Sequence, residues 1–140
     1  MTTALKAGAT YFALVYLVGF VLGTLRVLLL APRIGEIAAV LLETPVMLAA
    51  SWISSRWCTR RFGVPSEVRP RLAMGGAALA LLILGEVGVS ILAFGRSWQD
   101  TIAAILSPPG LIGLCAQVIF ALLPLLQALL KRKRGQAPRP

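Results

Sequence analysis

The sequence predicts an all-α integral membrane protein: a bundle of four transmembrane helices, with a short interfacial helix between the third and fourth spans. Three observations carry that expectation. Of 140 residues, 58% are hydrophobic and only 14% are charged, whereas a soluble domain carries about 25% charged residues. That is too little charge to cover a water-facing surface. The apolar residues also gather into four blocks near the roughly 20 residues needed to cross a bilayer. Finally, runs such as Leu79 to Gly85 do not alternate with period two, as the strands of a membrane β-barrel would.

The first span is read from about Gly8 to Leu30, with Arg26 as its one internal charge. It is longer than the 7–15 apolar residues of a signal-peptide core, and no small-residue cleavage site follows. Pro32 is expected to end it, because proline biases its predecessor away from helix and suits the first turn of the next one. The second span is read from about Ile34 to Trp57. A basic loop containing Gly63, Pro65 and Pro70 follows, then the third span from Leu72 to Phe94. The stretch from Ser97 to Leu106 reads as the short amphipathic helix, with Ser97 as N-cap and Asp100 at the capping-box position. Ser107, Pro108, Pro109 and Gly110 are expected to break it before the fourth span, Leu111 to Leu130. Residues 1–130 then form a single domain, and 131–140 a basic disordered tail.

The formal net charge is +9, from 14 Lys and Arg against 5 Asp and Glu. Its placement points to membrane topology rather than nucleic acid. An even number of spans puts both termini and the middle loop on one side. That side holds Lys6, Arg56, Arg60, Arg61, Arg69, Arg71, Lys131, Arg132, Lys133, Arg134 and Arg139, against Arg26, Arg33 and Arg96 on the other. The positive-inside rule therefore predicts cytoplasmic termini. It also makes Arg60, Arg61 and the Lys131, Arg132, Lys133, Arg134 cluster candidates for contact with anionic lipid.

Charged groups inside spans are the informative ones, because each costs roughly 2.5–3.5 kcal/mol to insert. Arg26, Glu43, Glu86 and Gln117 put one strongly polar side chain on each helix, in the same half of the bundle. At 1.5 Å per residue, Glu43 and Glu86 lie about 12–14 Å below the outer boundary, and Arg26 about 6 Å. Gly19 and Gly23, under Arg26, form a small-residue surface that lets helices approach closely. In one reading Arg26 and Glu43 form a buried ion pair that orders the first hairpin. In the other, one arginine against two carboxylates leaves a site for a proton or cation, since desolvation favours the neutral acid.

The remaining chemistry is sparse. There is no histidine, hence neither the commonest general base nor the commonest metal ligand. Cys58 and Cys115 are too few for a disulfide framework. No phosphate loop, dinucleotide fingerprint or nucleophile–base pair is present. The sequence thus predicts a non-enzymatic membrane protein without cofactor or metal, an accessory or structural component compatible with a homo-oligomer or membrane complex. The rival reading is a small proton- or cation-coupled transporter using Glu43 and Glu86.

The residues Gly23 to Leu28, Pro32 to Glu36 and Leu42 to Met47 resemble a pattern in small four-helix inner-membrane proteins of Proteobacteria, which carry no assigned activity. The resemblance covers mainly the first two helices and the arginine-rich loop. It implies a bacterial inner-membrane setting and no mechanism. The chain is also similar in size and helix count to the small multidrug resistance transporters. Those place their essential glutamate on the first helix, where this chain has Arg26, so the analogy extends only to an intramembrane carboxylate.

Overall fold

The computed structural model describes residues 1–136. It contains four helices long and apolar enough to cross a membrane: α1 (Thr2–Ile34), α2 (Glu36–Arg61), α3 (Val68–Ala93) and α5 (Pro108–Gln136). Between the last two lies the nine-residue α4 (Trp98–Leu106). The described residues include no strand. α1 packs against α2 and α3, and α5 packs against the same two. The helices therefore form a ring in the order α1, α2, α5, α3. The N-terminus, the 62–67 loop and the end of α5 share one end of the bundle. The turn at Gly35 and helix α4 mark the other.

Several boundaries differ from those expected, each for a local reason. α1 does not stop at Pro32. It passes through a π-helical segment, Arg26–Leu30, in which the Ala31 N–H reaches back to Arg26 O, and ends only at Ile34. A proline normally clashes with the carbonyl four residues back. Here that residue, Leu28, sits inside the widened π turn, which accommodates the ring. The break falls instead at Gly35, whose φ of +85° is a conformation that favours glycine. Similarly, the expected break between α4 and α5 is confined to Ser107, which is extended, and Pro108 to Gly110 form the first turn of α5. The Ser107 carbonyl accepts the Leu111 N–H at 2.8 Å.

At the terminal end, α2 closes in a Schellman turn. Gly63, at φ +61°, lets its own N–H reach Arg60 O and the Val64 N–H reach Thr59 O, which satisfies two of the last carbonyls. α3 starts before Leu72, so Arg71 is not the solvated loop charge that the topology count assumed. It is buried, and donates from Nε to Pro65 O at 2.9 Å and from Nη2 to Val64 O at 3.0 Å, clamping the loop. α5 continues past Leu130. Lys131, Arg132 and Lys133 are therefore exposed helical residues rather than a disordered tail, as suits cations near a helix C-terminus. Residues 137–140 lie outside the described residues. α4 is capped as expected: Ser97 Oγ accepts the Asp100 N–H at 3.1 Å and donates to Asp100 Oδ2 at 2.7 Å.

The densest packing lies in the terminal half, around Ala7, Tyr11, Val15, Cys58, Met74, Ala78, Leu82 and Phe120. Cys58 is fully buried there. Tyr11 crosses the bundle from α1 to α5. Its ring stacks on Phe120 with centroids 4.3 Å apart, and its hydroxyl donates to the Phe120 carbonyl at 3.0 Å. The reason is Pro124, which sits four residues after Phe120 and has no N–H to give that carbonyl its helical bond. Tyr11 supplies the missing donor. Tyr11→Phe is accordingly expected to lower stability by about 1–2 kcal/mol, the cost of an unsatisfied buried carbonyl. In a Pro124→Ala background the restored N–H should remove most of that loss. Paired thermal melts in detergent check the difference.

Candidate functional site

The four polar residues expected in the spans occupy one level of the bundle. Counted from the Gly35 turn, Arg26 and Glu43 are nine and eight residues away, or about 12–13 Å at helical rise. Continuation of α1 through Pro32 thus sets Arg26 deeper than a helix ending at Leu30 would, level with its partner. Glu86 lies seven residues before the end of α3, and Gln117 nine residues after the start of α5.

Two pairs form across neighbouring helices. Arg26 Nε lies 2.8 Å from Glu43 Oε2, with side-chain exposures of 27% and 15%. Arg26 Nε has no aligned hydrogen-bond partner, so the contact is an ion pair whose N–H does not point along it. Such a pair draws its strength from charge more than direction. The second pair joins α5 to α3: Gln117 Nε2 donates to Glu86 Oε2 at 2.7 Å. Glu86 remains exposed and lies within electrostatic reach of Arg26. Among the described residues the level therefore holds one cation and two carboxyl groups, and the one close cation contact is with Glu43.

The bundle opens around this level. The π-helical segments Arg26–Leu30 and Val89–Ala93 and the last turn of α1 contain no buried residue. A small, mainly apolar cavity of about 170 Å³ lies beside Glu43, lined by Leu22, Leu25, Leu30, Leu42 and Val46. Both π segments adjoin the polar level: one begins at Arg26, the other three residues after Glu86. π turns are frequent at functional sites because they re-aim side chains within a continuous helix. Ser90 does not bond Glu86. Its hydroxyl meets that of Thr101 on α4, 3.2 Å away.

The other expected positions divide. Gly19 faces Met47 of α2, whose Cε would lie 3.1 Å from an added Cβ, whereas the same space at Gly23 is open. Arg60 and Arg61 end α2 and are exposed, on the same end as exposed Lys131, Arg132 and Lys133. The side chain of Arg134 lies outside the described part of the structure. Among the described residues, no group of three or more acidic, cysteine or histidine side chains is placed to hold a metal ion.

A second polar cluster went unread in the sequence. In the terminal half Gln127 of α5 donates to Trp52 O at 2.8 Å and accepts from the Ser55 hydroxyl at 3.2 Å, linking α5 to α2. Ser51 and Ser55, four residues apart and both buried, share a helix face. That spacing was the available signal. Comparison of the chain with protein-family models, with curated proteins and with solved structures finds no match.

Proposed function

We propose that this chain is a small, non-enzymatic integral protein of a bacterial inner membrane, serving as an accessory or structural component. The observation that carries this reading is the Arg26–Glu43 contact. Two of the costliest groups in the spans, Arg26 and Glu43, are spent on one another, and that pairing ties the first two helices together. The resemblance to small proteobacterial four-helix proteins agrees with it. In this placement both termini face the cytoplasm, where Arg60, Arg61 and Lys131 to Lys133 meet anionic headgroups. α4 lies at the periplasmic interface with Trp98, Ile102 and Leu106 exposed toward lipid. The test combines topology and assembly. With Cys115 replaced by serine, Glu67→Cys should resist a membrane-impermeant thiol reagent in intact cells and react after lysis. The full chain should also co-purify in mild detergent as a defined complex. Labelling in intact cells would invert the topology, and a free monomer at native expression would remove the accessory role.

A second reading, a small proton- or cation-coupled transporter, draws on Glu86. Its hydrogen-bond partner is a neutral amide, and its side chain is exposed. An unneutralised carboxylate at that depth is a functional-site candidate by default.

A further inference from the structure

We propose that Glu86 is a reversible proton-binding site, loaded from the α4 end of the bundle through the hydroxyls of Thr101 and Ser90. The inference rests on the membrane placement above and requires no transport.

The argument starts from the asymmetry between the two carboxyl groups. Glu43 has a guanidinium at 2.8 Å, a counter-charge for its carboxylate. Glu86 has the Gln117 amide at 2.7 Å on one oxygen. Among the described residues its other oxygen, Oε1, has no hydrogen-bond donor. Glu86 is exposed on the bundle, and where the proposed placement sets that exposed face in lipid such a group is stable as the neutral acid or with a cation beside it. The groups that face it leave that role open. α1 brings Arg26, already engaged with Glu43, and Tyr16, packed against Gly85. α2 brings the paired Glu43. α5 brings only neutral Gln117, and the acid of α4, Asp100, is exposed and bonded to its own cap at Ser97.

The second observation is the hydroxyl pair above Glu86. Thr101 is 4% exposed, yet its hydroxyl takes part in two contacts, to Ser90 Oγ at 3.2 Å and to Ser97 O at 2.9 Å. Ser97 is exposed at the head of α4. Ser90 stands four residues after Glu86, about one turn along α3 at the start of its π segment, and the route places one bridging water between the two. A buried threonine and a serine thus join the solvent-facing turn to the carboxyl. At rest the Thr101 hydroxyl donates to Ser97 O and so accepts from Ser90. Loading begins when it turns from that carbonyl to hand its proton to Ser90 while its oxygen takes a proton from water at the turn. Ser90 passes its own through the water to Glu86 Oε1. The carboxylate becomes a carboxylic acid, the water outside loses one proton, and both hydroxyls return to their starting state by rotating back. Emptying reverses each step. No other bond changes.

Infrared difference spectroscopy of the full chain in nanodiscs, titrated with pH, tests the proposal. The expected result is a protonated-carboxyl band that grows as pH falls. It should be lost in Glu86→Gln, retained in Glu43→Gln and shifted in frequency in Glu86→Asp. After a pH jump, Thr101→Val and Ser90→Ala should reach the same amplitude several-fold more slowly. Absence of a titrating band in the wild type, or its survival in Glu86→Gln, would overturn the site. Unchanged rates in Thr101→Val and Ser90→Ala together would overturn the route. Loss of the band on adding sodium or potassium chloride at fixed pH, but not choline chloride, would replace the proton by a metal cation. Because the readout is binding, absence of flux in liposomes leaves this result standing. A chain that fails to enter nanodiscs would instead count against the membrane reading.

Discussion

Arg26→Leu is expected to destabilise the bundle by about 3–5 kcal/mol, and the double variant Arg26→Leu with Glu43→Leu to be much closer to wild type. The asymmetry follows from what each change leaves behind. With Arg26 gone, Glu43 keeps a charge in a cleft where it is only 15% exposed, and desolvation is no longer offset. With both gone, two apolar side chains fill the space beside Leu22, Leu42 and Val46, which already line it. Stranded Glu43 has one escape, which is to take a proton. The single-variant loss should therefore shrink as pH falls, since acid supplies the neutral form. Glu86 is the other group within reach of Arg26. The decisive measurement is a set of thermal melts in detergent for Arg26, Glu43 and Glu86, replaced singly and in pairs. Strong coupling between Arg26 and Glu43, with weak coupling between Arg26 and Glu86, is the outcome the distances require. Additive losses at both pairs would mean that the 2.8 Å contact contributes nothing.

Much of this arrangement was legible in the chain because it depends on single residues whose cost is high. A charge within twenty apolar residues announces itself, and three of them with Gln117 in the same half of the bundle announce a layer, although the expected stop at Leu30 set Arg26 too shallow. The capping of α4 was readable for a similar reason: Ser97 and Asp100 act over three residues, without help from the rest of the fold. What escaped depends on contacts between helices distant in sequence. Pro124 shows that Phe120 has an orphan carbonyl, but nothing local says that Tyr11, 109 residues earlier, supplies the donor. Arg71 looked like a loop charge because its two acceptors, Val64 O and Pro65 O, are created by the fold of the loop it clamps. The course of α1 through Pro32 was missed for a subtler reason. A π turn relieves a proline clash, and no residue type marks a π turn in sequence.

The glycines show the same limit most sharply, and they carry the second large effect. Spacing singled out Gly19 and Gly23, yet the closest helix approach lies elsewhere. A Cβ built on Gly75 of α3 would collide with the carbonyl oxygen of Ala121 on α5 and stand 2.9 Å from its carbon. That obstacle is backbone, which has no rotamer by which to withdraw, so Gly75→Ala must push α3 and α5 apart. Overpacking typically costs about 1–3 kcal/mol, occasionally more, and a backbone collision this close belongs at the upper end. Helix association in lipid depends on close van der Waals contact rather than hydrophobic drive, so the loss should persist in bilayer as in detergent. It should also travel. The same two helices hold Glu86 to Gln117, about three turns along, and separating them lengthens that 2.7 Å bond. Gly23→Ala is the internal control. Nothing lies within 4 Å of the added atom, and alanine is favoured over glycine inside a helix by up to about 1 kcal/mol. The two substitutions add the same methyl group and should have opposite signs. Melting curves of the pair decide it: equal shifts would mean that the Gly75 seam does not hold the bundle together.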